Sequence, residues 1–237
     1  MSAARRQAPS TRRGGRREVD LSDTLQVLVE RLDPPGGPAR AVQFVSARTG
    51  EGASSVARAF ALAAAADGRR TWLVELDVMS GAQAAAFADG RYGPLGPAVE
   101  ASPDGSAFLQ VGPGPSTARL AVHAVGDTGL WVTRFRGEAL APGQKVRITG
   151  DGGYWRALRA HADLVVVDAP AAERSRAAAA VAPHMDATLI VVSADNDDPS
   201  GPALLRAGLE AVGGRCAGAV LNRAPPPPPR MLRKLTP

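Results

Sequence analysis

Apolar residues at 21, 25, 28, 29 and 32 recur at helical spacing, so Leu21 to Leu32 is expected to form a short amphipathic helix. Ser22 or Asp23 can cap its start, and the run Pro34-Pro35-Gly36-Gly37-Pro38 ends it. From Ala41 the pattern changes to short apolar runs separated by turns and helical stretches. AVQFVS (41–46) reads as a strand, ARTGEGASS as a turn, and VARAFALAAAADG as a helix closed by Asp67-Gly68. RTWLVELD (70–77) is the second strand, and the small-residue stretch 78–105 reads as loop. AFLQVG, ARLAVHAV and LWVTRFR follow as strands that would add an antiparallel edge or a small insert. The helix YWRALRAHA leads into the apolar strand DLVVVDAP (163–170), then DATLIVVSA, the helix PALLRAGLEAVG, and a last strand, RCAGAVLNR. Strands that are apolar throughout and alternate with helices imply a parallel sheet covered on both faces.

At 237 residues, with 45% hydrophobic and 22% charged residues, the chain suits one α/β domain with appendages. No apolar run approaches the ~18 residues of a membrane span, and the Arg-rich start lacks the apolar core of a secretory leader. A cytoplasmic location is expected, peripheral to the inner membrane face if the tails bind lipid. A single cysteine, Cys216, excludes an internal disulfide framework and a multi-cysteine zinc site. The net charge of +5 is uneven: residues 1–20 carry +4, residues 223–237 another +4, and the middle is −3. Two basic tails on a mildly acidic body suit an anionic membrane surface, nucleic acid or an acidic partner, and equally suit plain solvation. The expected organisation is a disordered basic arm (1–20), a lead helix and Pro/Gly linker (21–38), an ATPase-like domain (39–223) and a Pro/Arg-rich tail (224–237).

The strand–turn–helix at 41–66 invites comparison with the phosphate-binding loop G-x-x-x-x-G-K-[ST]. Here it reads Ala47-Arg48-Thr49-Gly50-Glu51-Gly52-Ala53-Ser54-Ser55. Backbone N–H groups of Gly50, Glu51, Gly52, Ala53, Ser54 and Ser55 could cradle an anion, and Ser54 stands where a magnesium-ligating hydroxyl belongs. The lysine position is Ala53. Acids and amides close three strands: Glu75 and Asp77, Asp168, and Asn222. In open α/β sheets ligands gather at such strand ends, although an acid there also commonly caps the next helix.

The order VSARTGEGASS, WLVELD, DLVVVDAP, GAVLNR resembles the bacterial tyrosine-kinase family, cytoplasmic ATPase domains that partner polysaccharide co-polymerases and are related to MinD and ParA. The resemblance covers about 41–80 and 160–223 and implies a three-layer α/β P-loop NTPase fold with a mostly parallel sheet. It implies that Asp77 is the second acid of the family's extra Walker motif, with Glu75 replacing the first. It also implies that Asp168 is the Walker B carboxylate, that Asn222 contacts adenine, and that Ser54, Asp77 and Asp168 hold Mg²⁺ beside ATP or ADP. Asp77 and Asp168 are thus the candidate catalytic residues. Arg48 falls where MinD and ParA relatives carry a second lysine.

Ala53 departs from the family's lysine, the only tyrosines are Tyr92 and Tyr154 rather than a C-terminal cluster, and Glu30-Arg31 is at best a remnant of the oligomerisation motif. These departures imply a catalytically degenerate protein acting in cell-surface (exopolysaccharide, capsular or holdfast-type) polysaccharide assembly and export with a membrane co-polymerase. Two alternatives stand beside it: a weak ATPase or tyrosine kinase using Arg48 in place of the lysine, and a ParA- or MinD-like positioning factor on DNA or membrane. A homo-oligomer is compatible with each. His123, His161 and His184 are scattered, Lys145 has no assignable role, and Trp131, Phe135, Tyr154 and Trp155 read as core.

Overall fold

The computed structural model describes residues 22–32, 36–102, 104–114 and 119–224. The expectations for the basic arm and for most of the proline-arginine tail lie outside the described residues.

Among the described residues ten strands and six α-helices are formed. The first helix, α1 (Ser22–Leu32), precedes strand β1 (Arg40–Ser46), α2 (Ala53–Ala66), β2 (Thr71–Glu75) and α3 (Ala82–Phe87). Then come β3 (Val99–Glu100), β4 (Leu109–Gly112), β5 (Leu120–Ala124), β6 (Leu130–Phe135), β7 (Lys145–Ile148) and α4 (Gly153–Arg159). The chain closes with β8 (Leu164–Asp168), α5 (Ala177–Val181), β9 (Ala187–Ser193), α6 (Ser200–Ala211) and β10 (Cys216–Asn222).

Eight strands form one sheet in the order β10-β9-β1-β8-β2-β6-β5-β3. It is parallel from β10 to β6 and antiparallel over β6, β5 and β3. The three middle strands expected as an edge or insert therefore divide. β5 and β6 extend the main sheet, whereas β4 pairs with β7 in a separate two-stranded ribbon. The stretch 78–105, expected as loop, contains α3 and β3; its run Ala82–Phe87 is too short and too alanine-rich for its period to show in sequence.

Side-chain alternation along the central strands builds two cores, one on each face. Ala41 and Val45 of β1, with Val165 and Val167 of β8, pack toward Tyr154, Trp155 and Leu158 of α4 and Leu209 of α6. Val42, Phe44, Leu164 and Val166 face α2, whose Val56, Ala57, Phe60, Ala61 and Ala64 form its buried stripe. The result is the expected three-layer α/β arrangement. Alpha1 lies over α2 with Val29 buried, and Gln26 donates to Asp67 at 3.0 Å. Among the described residues no helix is long and apolar enough to cross a membrane. Phe135, Tyr154 and Trp155 are buried, and Trp131 stacks on Trp72, so these aromatics serve the core.

Candidate functional site

The turn after β1 runs through Gly50 (φ 86°) and Gly52 (φ 93°), both in the left-handed region, and delivers the chain into α2. Gly52 has a second constraint, because a Cβ there would overlap the Asn222 amide. Glu51 is buried and braces the turn: its Oε2 accepts the Arg48 N–H at 2.9 Å and its Oε1 the Asn196 amide at 2.8 Å. Thr49 N–H donates to Glu173 at 2.6 Å, and Asn222 Nδ2 to the Glu51 carbonyl at 2.9 Å. Three distant segments thus brace the turn.

Among the described residues, none of the N–H groups from Gly50 to Ser55 is given to a protein acceptor; the first bonded amide is that of Val56, on Gly52 O at 3.0 Å. Six consecutive free donors at a helix start are a backbone cradle for an anion, reinforced by the dipole of the 14-residue α2. The cationic part is missing. Ala53 is buried at the first turn, and Arg48 points to Asp198, pairing at 2.6 Å with both side chains largely exposed. Asp198 is also held by Ser200, so Arg48 is engaged away from the cradle.

The acids occupy the strand ends beside it. Glu75 and Asp168 are register partners on the adjacent parallel strands β2 and β8, and both are buried. Glu75 accepts N–H bonds from Ala82 (3.0 Å) and Gln83 (3.1 Å), so it caps α3. The fully buried Gln83 then donates to Asp168 Oδ2 at 2.6 Å and to the Ser54 carbonyl at 3.0 Å, while its own oxygen accepts Arg58 at 3.1 Å. Ser54 Oγ donates to Asp168 Oδ1 at 3.0 Å. Burial pushes the Glu75 carboxyl up to about 7, aided by the nearby charges of Asp168 and Asp77 against its two amide bonds. Burial likewise pushes Asp168 up to about 6, opposed by its bonds from Gln83 and Ser54.

The structure thus brings Ser54 and Asp168 together, as expected, and seats Asn222 against the turn. Both ends of the Asn222 amide are taken by backbone, at Glu51 O and Arg223 N. Asp77 points elsewhere, accepting Arg174 at 3.0 Å. Among the described residues no three His, Cys, Asp or Glu side chains converge as a metal centre. One hydroxyl and one carboxylate still fit magnesium, which commonly takes one or two carboxylates and completes its shell with water and phosphate oxygens. The residues present therefore fit a phosphate chain through backbone donors and Mg²⁺ through Ser54 and Asp168, but supply no lysine charge.

Sequence reasoning missed Gln83, Arg58, Asn196 and Glu173. Gln83 had a signal, being one polar residue isolated in the apolar run Ala82–Phe87; the others belong to contacts between distant segments. The scattered histidines serve structure, His123 meeting Gly96 O and His184 meeting Gly150 O.

This arrangement, a glycine turn feeding a helix beside acids at parallel strand ends, is that of the P-loop fold. Within it, the chain has the fold of the bacterial tyrosine-kinase domains. It is similar to the chimeric protein CapA2B2 (TM-score 0.59, 18% identity, covering 88% of this chain and 87% of that one). It is also similar to the kinase domain of the Escherichia coli tyrosine kinase ETK (TM-score 0.56, 16% identity, 86% and 78% covered). A third similar structure is a nucleotide-binding protein from Archaeoglobus fulgidus in complex with ADP (TM-score 0.50, 12% identity, 84% and 70% covered). No protein-family model matches the sequence, and no curated protein matches it.

Proposed function

We propose that this protein is a catalytically degenerate relative of the bacterial tyrosine kinases, acting in cell-surface polysaccharide assembly and export by docking on a membrane co-polymerase. The observation that carries the degenerate reading is Ala53 at the first turn of α2, with Arg48 paired to Asp198 rather than turned into the cradle. Phosphoryl transfer depends mainly on electrostatic stabilisation of the transferring group, so a cradle without its cation loses most of its catalytic means. When bound, Mg²⁺ would neutralise phosphate charge; Ser54 and Asp168 are the residues that would hold it. Of the two tyrosines, Tyr154 is buried between Phe108 and Trp155, which supports the absence of autophosphorylation. The polysaccharide setting and the co-polymerase partner rest on the family resemblance, and peripheral attachment to the inner leaflet rests on the basic tails.

A second reading, weak nucleotide turnover with Arg48 in the lysine's place, draws support from one feature. The Arg48–Asp198 pair is exposed, with side chains 53% and 36% accessible, so solvent screening makes it weak and easily broken.

Calorimetric titration of Mg·ADP and Mg·ATP into wild type, Ala53→Lys and Arg48→Ala separates the two. A degenerate protein binds weakly or not at all, and Ala53→Lys tightens binding about ten- to a hundredfold, the worth of one charge-assisted contact. Wild-type micromolar binding that disappears in Arg48→Ala, or robust phosphotyrosine on the purified protein with Mg·ATP, would overturn the degenerate reading.

A further inference from the structure

A second polar cleft opens at the same end of the sheet, between the loop after β2, the ribbon strand β7 and the segment joining β8 to α5. Its volume is about 410 Å³, within the range of small-ligand pockets. Three guanidiniums line it, those of Arg147, Arg174 and Arg176, against one carboxylate, Asp77. Of the three, only Arg174 has an ion-pair partner among the described residues. Arg174 meets Asp77 at 3.0 Å with both side chains partly exposed, and Arg147 donates only to the neutral Gln110 Oε1, at 2.8 Å. Arg176 has no side-chain hydrogen bond or ion pair among the described residues. The remaining wall is apolar, including Ile148 and Pro170.

We propose that this cleft binds the phosphate of a phosphate monoester, with the organic body of the ligand against the apolar wall. Two arguments favour that class. The lining carries a local charge of +2, which matches the ≈ −1.5 to −2 of a phosphate monoester near neutral pH better than the single charge of a carboxylate. Guanidinium forks match phosphate oxygens bidentately, and three of them approach from two separate segments, so the anion can be held from more than one side. The site is distinct from the cradle at 50–55 and does not require that cradle to bind nucleotide. Asp77 is the shared wall between cleft and acids, its charge raising the carboxyls of both Glu75 and Asp168.

The test is calorimetric titration of phenyl phosphate, inorganic phosphate and benzoate into the full-length protein at low salt, without Mg²⁺. Phenyl phosphate should bind more tightly than either control, and Arg147→Gln with Arg176→Gln should weaken it at least about tenfold. Both side chains are exposed, so the double variant should fold normally. No binding in the millimolar range, or equal binding by the double variant, overturns the proposal. Displacement by Mg·ADP with no loss in the double variant also overturns it, by placing the anion in the cradle instead. Cosedimentation with phosphatidic acid vesicles then separates the sources. Vesicle binding that falls in the double variant assigns the phosphate to a lipid headgroup, and unchanged vesicle binding assigns it to a soluble compound.

Discussion

Raising the pH from about 5 to 8 should destabilise this protein. Glu75 and Asp168 sit side by side at the ends of β2 and β8 and are buried, with folded-state pKa values of about 7 and 6 against ordinary values of 4.5 and 3.8. For an acid, a raised folded pKa means that the native state holds its proton where the unfolded chain has released it. Stability then falls as pH rises through that window. The contribution is complete below about pH 4 and lost by about pH 7 to 8. Each carboxyl loses about 3 kcal/mol at about 1.4 kcal/mol per pH unit, and because part of the Glu75 shift comes from the charge of Asp168 their joint loss is on the order of 5 kcal/mol rather than a simple sum. Asp163 beside Arg70, Asp186 beside Arg159, and Glu173 under the Thr49 N–H are shifted the other way, so their stabilisation is lost as pH falls below the ordinary carboxylate range. A stability maximum near pH 4.5 to 5 is therefore expected, followed by a decline of up to about 2.7 kcal/mol per pH unit while both acids deprotonate. Urea unfolding in steps from pH 4 to 8, with divalent cations chelated, measures this directly. Glu75→Gln should reduce the slope by about half, since one titrating proton is gone. A curve that is flat or rising between pH 5 and 7.5 would refute the reasoning.

Two further outcomes follow from the packing. Gln83→Leu keeps the volume but strips a donor from Asp168 and from the Ser54 carbonyl, and should cost about 3 kcal/mol, or about 6–12 °C in melting temperature; a loss under about 1 kcal/mol would mean that water replaces the amide. Tyr154→Phe removes a buried hydroxyl that has no hydrogen-bond partner, so it should be neutral or stabilising by about 1 kcal/mol in thermal unfolding. A clear destabilisation there would show that the hydroxyl does find a partner.

Much of the fold was legible because its signals are local. Beta1, β8 and β9 are runs of apolar residues ended by polar ones, and the glycines of the turn before α2 are required by its positive φ values. Ser54 and Asp168 were marked separately by the motifs, as two of three expected Mg²⁺ ligands, and the structure joins them by a hydrogen bond. Alpha3 was not legible. Six residues of mostly alanine have almost no period, and the helix is specified partly by the Glu75 carboxylate that caps it from the preceding strand. Glu75 was expected only as the replacement for the first acid of the extra Walker motif, whereas burial and two backbone amides make it a cap.

What the sequence determined by itself is the alternation of strands and helices, the glycine turn, and the absence of a lysine at position 53. These depend on residues near one another in the chain. The tertiary structure alone decided where the charges point. Arg48 is committed to Asp198, 150 residues away, Asp77 to Arg174, and Gln83 to Asp168. Such long-range partnerships leave no periodic trace, because each is fixed by the order in which strands are laid into the sheet. That same order, with β8 between β1 and β2, makes Glu75 and Asp168 neighbours in the middle of the sheet, where burial raises both carboxyls.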